Sequence, residues 1–99
     1  MNIQSMLQQA KEMQERLQKQ MAEMTIEATS GGGMVTVVVN GHKHVLKLTI
    51  DPDVVSKDDI TMLQDLIVAA VNDAQRKVDE ALASRMQGLM GGLGIPGLT

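Results

Sequence analysis

Chemistry requires particular side chains at particular spacings, and several groups in this chain approach that requirement. His42 and His44 stand two residues apart, so in an extended segment both imidazoles share one face. A metal held by such a pair needs a third ligand, usually a carboxylate, and none stands at a spacing that would supply it. Exposed histidines at a strand end are therefore expected, with no metal. Gly31, Gly32 and Gly33 would cradle a phosphate only if a helix followed them, with Lys and Ser or Thr at its start. Strand-forming sequence lies on both sides instead, so the triplet reads as a hairpin loop. Asp51, Asp53, Asp58 and Asp59 lack the spacing, the glycine and the closing Glu of a calcium-binding loop. Turn formation and capping account for them. Ser5, Ser30, Ser56 and Ser84 fit loops, caps or a helix surface, with no compelling His and Asp partners to activate them. Cysteine is absent, which removes disulfides, thiolate catalysis and Cys-bound zinc. The expectation is a protein with no enzymatic activity, no cofactor and no small-molecule substrate.

Basic residues are the remaining candidates. Lys11, Arg16 and Lys19 form one group, and Arg76, Lys77 and Arg85 another. Such groups either contact phosphates or form a solvated face with local ion pairs. Glu12–Arg16 and Glu15–Lys19 have the favourable i,i+4 order for pairing on a helix. The chain has no Phe, Tyr or Trp, so no base can be stacked on an aromatic ring, and single-strand binding by that means is not expected. The net charge of −3 opposes nucleic-acid binding at long range unless the bases are gathered where the duplex sits.

The elements that would position these groups follow from periodicity. From residue 3 to 24, apolar residues recur every three or four positions: Ile3, Met6, Leu7, Ala10, Met13, Leu17, Met21 and Met24. That spacing predicts an amphipathic helix. At about 22 residues it would be roughly 33 Å long, more than so small a domain spans, so part should project or lie along a partner. Three short strands are predicted next. Residues 25–29 alternate weakly. Residues 34–39 are rich in Val, and residues 44–50 place Leu46, Leu48 and Ile50 on one face with Val45, Lys47 and Thr49 on the other. Asn40-Gly41 predicts a type I′ hairpin turn between the last two. Pro52 ends the sheet. Ser56 is a candidate N-cap for a second helix over residues 57–87, with Asp58 and Asp59 suited to its start.

The apolar residues of that second helix, from Ile60 to Leu82, cover a wide arc of roughly 160°. An arc that wide fits contacts with both the chain's own sheet and a second subunit. Ninety-nine residues make one modest core, and without aromatics it must be built from Leu, Ile, Val, Ala and nine Met. The predicted architecture is α+β: α-β-β-β-α, with a three-stranded antiparallel meander between two long helices, homodimeric. Residues 1–90 form the single domain. Residues 91–99, with glycines and Pro96, read as a flexible tail, and glycine density from Gly88 onward predicts no helix there. The first residues carry no basic and then apolar leader, and no apolar stretch reaches 18 residues, so a cytoplasmic protein without a membrane partner is expected.

Three segments in this order resemble the YbaB/EbfC family of nucleoid-associated proteins over nearly the whole length. They are Gly31-Gly-Gly-Met-Val-Thr-Val-Val-Val-Asn-Gly41 with the later Ile50-Asp-Pro52; Leu63-Gln-Asp-Leu-Ile-Val-Ala-Ala-Val-Asn-Asp-Ala74; and Gly91-Gly-Leu-Gly-Ile-Pro-Gly-Leu98. The resemblance implies a tweezer-shaped homodimer with helical arms, located in the nucleoid. It implies binding of duplex DNA with little or loose sequence preference, and a role in nucleoid organisation and gene expression. DNA contacts in the family are attributed to the arms, so Lys11, Arg16, Lys19, Arg76, Lys77 and Arg85 are the candidate contacts, with Arg85 on the apolar arc beyond the body. The other open reading is a protein-interaction module serving replication or recombination proteins, with incidental DNA affinity.

Overall fold

The computed structural model describes residues 2–92. Helix α1 (Ile3–Glu23) enters an antiparallel sheet of β1 (Thr25–Ser30), β2 (Val35–Asn40) and β3 (Val45–Ile50), in that spatial order. Short 3-10 turns at Pro52–Val54 and Lys57–Asp59 then lead to α2 (Ile60–Gly92). This is the α-β-β-β-α arrangement that the sequence pattern predicts.

The core is one layer of β-branched side chains under one helix. Val35, Val37 and Val39 of β2 are fully buried, and Ala28 of β1 nearly so. Ala70, Ala74 and Val78, spaced four apart on α2, are fully buried against them. Small residues on the helix let it lie close to a valine-covered sheet. Ile26, Ile50, Leu63, Leu66, Ile67, Val71 and Leu82 complete the layer at partial exposure. Ser30 joins sheet to helix by donating its hydroxyl to the Leu66 carbonyl at 2.6 Å.

α2 lies across β1 and β2. It then continues past Leu82 to Gly92, so that its 33 residues span about 50 Å. The molecule is correspondingly long, 68 × 33 × 15 Å. The helix therefore passes Gly88 and ends at Gly92, whereas glycine density predicts no helix from Gly88 onward. A glycine costs about 1 kcal/mol relative to alanine, and an established helix propagates through an isolated one such as Gly88. Residues 93–99 of the expected flexible tail lie outside the described residues.

The β2–β3 connection also differs from expectation. It is not a two-residue type I′ turn. Asn40 N donates to His44 O, and Asn40 Oδ1 accepts from the amides of both His42 and His44, at 2.9 and 3.0 Å. Lys43, not Gly41, adopts the left-handed conformation, φ 67°. This is the three-residue hairpin loop closed by a left-handed residue. Gly41 serves another purpose: its amide donates to Met21 O of α1 at 2.8 Å, and a Cβ there would lie 2.6 Å from that oxygen. A bulge at Val38/Val39 pairs Val39 with Val45, so Leu46 is the extra residue and the simple alternation expected for β3 breaks at its start.

α1 touches the rest of the molecule only through its last turns. Its apolar stripe is exposed: Ile3 72%, Leu7 66%, Met13 62%, Leu17 54%. Asn2 caps its start by accepting from Gln4 N. At its end the His42 ring stands 3.3 Å from Gln18 O. A single extended residue, Met24, separates helix from strand.

Candidate nucleic-acid interface

The six basic candidates separate into two chemical states. On α2, Arg76 is forked between Asp73 and Glu80, which lie three residues before it and four after it on the same helix. Lys77 reaches the other oxygen of Asp73 at 3.5 Å. The hydrogen bond from Arg76 holds the Asp73 carboxyl below its ordinary value; burial opposes that shift and Lys77 assists it. The same pairing raises Arg76, chiefly through its hydrogen bond with Asp73. A guanidinium with two carboxylates is neutralised before any phosphate arrives.

On α1, Lys11, Arg16 and Lys19 are exposed and none is within ion-pair distance of a carboxylate among the described residues. The Glu12–Arg16 and Glu15–Lys19 pairs expected from their spacing are therefore not formed. Arg85 is exposed on the part of α2 that overruns the sheet. The structure thus places Lys11, Arg16 and Lys19 together on one helix, and Arg85 apart from them.

Two charges that local spacing does not single out anchor the hairpin. Lys43 bridges Asp79 at 2.7 Å, and its carbonyl accepts from Gln75 Nε2 at 3.3 Å. These bonds lock the β2–β3 loop to the middle of α2. Lys43 and Asp79 are far apart along the chain, and only the tertiary fold brings them together.

The acids are not spread evenly. Residues 51–65 hold Asp51, Asp53, Asp58, Asp59 and Asp65 against Lys57 alone. Elsewhere the chain carries eight bases against seven acids. Asp51 donates its amide to Met34 O, and Leu66 packs on Gly31, so this acidic corner sits at the β1–β2 loop end of the sheet. α1 is attached at the opposite end, beside Gly41. Five of the twelve carboxylates therefore lie away from α1, which itself carries Glu12, Glu15 and Glu23 beside its three cations and is neutral overall.

Among the described residues no group of three or more His, Asp or Glu is placed to hold a metal. No described helix is long and apolar enough to cross a membrane.

Comparison with known proteins shows which proteins the chain resembles. A nucleoid-associated protein of Koribacter versatilis is 53% identical over 96 residues, covering 97% of this chain and 95% of its own. One from Acidobacterium capsulatum is 54% identical, covering 95% and 92%. A crystal structure of an uncharacterized Helicobacter pylori protein superposes with a TM-score of 0.72 at 25% identity, covering 91% of this chain and 98% of that one. The profile of the YbaB/EbfC DNA-binding family matches residues 1–93. The chain belongs to the YbaB/EbfC DNA-binding family.

Proposed function

We propose that the protein binds duplex DNA in the nucleoid as a homodimer, by electrostatic contacts with little sequence preference, and that α1 is the contacting arm. The observation that carries this reading is the contrast in cation state. Lys11, Arg16 and Lys19 are open on a projecting helix, whereas Arg76 and Lys77 are held by Asp73 and Glu80. Arg85, open on the far part of α2, is a secondary contact. Relatives at about half identity carry the name nucleoid-associated protein, which supports the nucleoid as the location.

Phosphate contacts position a protein on DNA without reading bases, and nothing in the cation set favours one base edge over another. Each phosphate neutralised contributes about −0.9 to the slope of log K against log salt. With three open cations on each α1, a dimer engages only a few phosphates, so modest affinity and a shallow slope are expected. The test is fluorescence anisotropy with two duplexes of unrelated sequence across a salt series, alongside light scattering for mass. Similar affinities on both duplexes and a mass of twice 10.7 kDa are expected. Absence of binding at about 50 mM salt, where electrostatic binding is strongest, would transfer the role to protein interaction, including with replication or recombination proteins.

A further inference from the structure

Very little joins α1 to the body, and what does is concentrated in one loop. Met24 alone separates the helix from β1. Among the described residues, α1 makes two hydrogen bonds to another part of the molecule, and both go to the β2–β3 loop. The Gly41 amide donates to Met21 O at 2.8 Å, one of the carbonyls that a helix end leaves without a partner. His42 Nε2 stands 3.3 Å from Gln18 O. That oxygen can only accept, so the contact forms when Nε2 carries the ring proton.

The same loop is held from the other side by α2. Lys43 Nζ pairs with Asp79 at 2.7 Å, and Gln75 Nε2 donates to Lys43 O at 3.3 Å. Between these two attachments the loop is braced internally. Asn40, which is buried, accepts at Oδ1 from the amides of His42 and His44, and Lys43 N donates to Asn40 O. A continuous set of polar contacts therefore runs from Asp79 through Lys43 and the loop backbone to Met21 and Gln18 of α1.

We propose that Asp79 is a positioning residue for DNA binding: by holding Lys43 it fixes the β2–β3 loop, and through that loop the angle at which α1 leaves the body. The proposal rests on the reading of α1 as the contacting arm. The length of the arm makes the angle matter. Lys11 lies about 18 Å along the axis from the Glu23 end of α1. A tilt of about 10° at the base carries it roughly 3 Å, close to the ~3.4 Å axial rise between successive phosphates of one strand. An arm that is loosely held at its base therefore loses the match between its cations and the phosphates. This role reverses the sign expected from charge. Asp79→Asn removes a negative charge from a chain of net −3 and frees the Lys43 ammonium, so Coulomb attraction alone would tighten binding to DNA. Loss of positioning weakens it.

The experiment compares the parent, Asp79→Asn and Asp79→Glu by fluorescence anisotropy on one duplex. The Lys43–Asp79 pair is exposed, and such pairs contribute little to global stability, so all three proteins should melt alike by circular dichroism. Arm angle is read by pulsed electron paramagnetic resonance. The native chain has no cysteine, so Ser5→Cys and Ser84→Cys place one nitroxide on each helix, both at exposed positions. Refolding with excess unlabelled chain keeps the measured distance within one chain. Asp79→Asn should bind severalfold more weakly and broaden the distance distribution. Asp79→Glu keeps the carboxylate and should return both towards the parent. Binding by Asp79→Asn as tight as the parent or tighter would overturn the proposal. So would weaker binding with an unchanged distance distribution, or an Asp79→Glu protein as weak as Asp79→Asn. Arg16→Gln with Lys19→Gln, measured alongside, separates the failures. Parental affinity in that protein defeats the reading of α1 as the contacting arm, and the proposal with it. Weakening there without weakening in Asp79→Asn defeats the positioning role of Asp79 alone.

Discussion

α1 and α2 are both long amphipathic helices with regular apolar spacing, yet they have opposite relations to the molecule. α2 carries Ala70, Ala74 and Val78 to zero exposure against the sheet. α1 buries no residue at all. Their charges differ in the same sense: the cations of mid-α2 are tied to Asp73 and Glu80, and those of α1 have no carboxylate within reach among the described residues. Amphipathic spacing therefore says that a helix has an apolar partner without saying in which molecule. Here one helix builds the domain and the other is free to serve another molecule.

A buried charge should break this contrast most severely. Ala74→Glu places an unpaired carboxylate in a closed core, at a cost on the order of several kcal/mol. Circular dichroism should show loss of the cooperative melt. Leu7→Glu on α1 should leave that melt largely in place, because Leu7 is 66% exposed. Equal damage from both would show that α1 is packed within its own chain.

Glycine substitutions sharpen the contrast at smaller scale. In Gly41→Ala the new Cβ meets backbone atoms of Met21 at 2.6 to 3.1 Å, with no flexible side chain to move aside. A loss of about 1–3 kcal/mol is expected, the usual range for overpacking. Gly88→Ala meets nothing within 4 Å on an exposed helical stretch and should stabilise by up to about 1 kcal/mol. Thermal melts of the two variants should move in opposite directions. A stable Gly41→Ala protein would mean that α1 is not seated on the hairpin.

The smallest effect is electrostatic. Asp73 titrates below its ordinary 3.8 because Arg76 donates to it. Its folded pKa lies beneath the unfolded value. The associated stability is therefore present above pH about 3.8 and is lost as pH falls through the folded pKa. Carboxyl NMR should place the Asp73 midpoint below 3.8, and Arg76→Gln should return it upward. An unmoved midpoint in Arg76→Gln would show that this pair is not formed in solution.

Much of the architecture is legible in the residues because it depends on local pattern. The Val35 to Val39 run, the three- and four-residue steps of both helices and Pro52 each specify an element from neighbouring residues alone. Features set by tertiary packing are not legible. Gly41 has the sequence context of a type I′ turn residue, but its lack of a side chain is used for the approach to Met21, and Lys43 takes the positive φ instead. The bulge that displaces Leu46 is a matter of register, which alternation does not encode. The basic candidates are legible as residue types only. The pairs of Asp73 with Arg76 and Lys77, and of Arg76 with Glu80, have the same local helical spacing as Glu12–Arg16 and Glu15–Lys19, yet only the α2 pairs form, so spacing alone does not say which cations are free.

The central claim, that α1 supplies the DNA contacts, is tested most directly by neutralising the two helices separately. Arg16→Gln with Lys19→Gln is compared with Arg76→Gln with Lys77→Gln. Both are titrated against one duplex by fluorescence anisotropy over a salt series, with mass and melting confirmed. Gln preserves helix propensity, so folding should be little affected in the α1 pair. The α1 pair should weaken binding severalfold and make the salt slope shallower, by up to about 0.9 for each phosphate no longer neutralised. The α2 pair should leave both close to the parent. Undiminished binding by the α1 pair, with the weakening appearing in the α2 pair instead, would contradict the account.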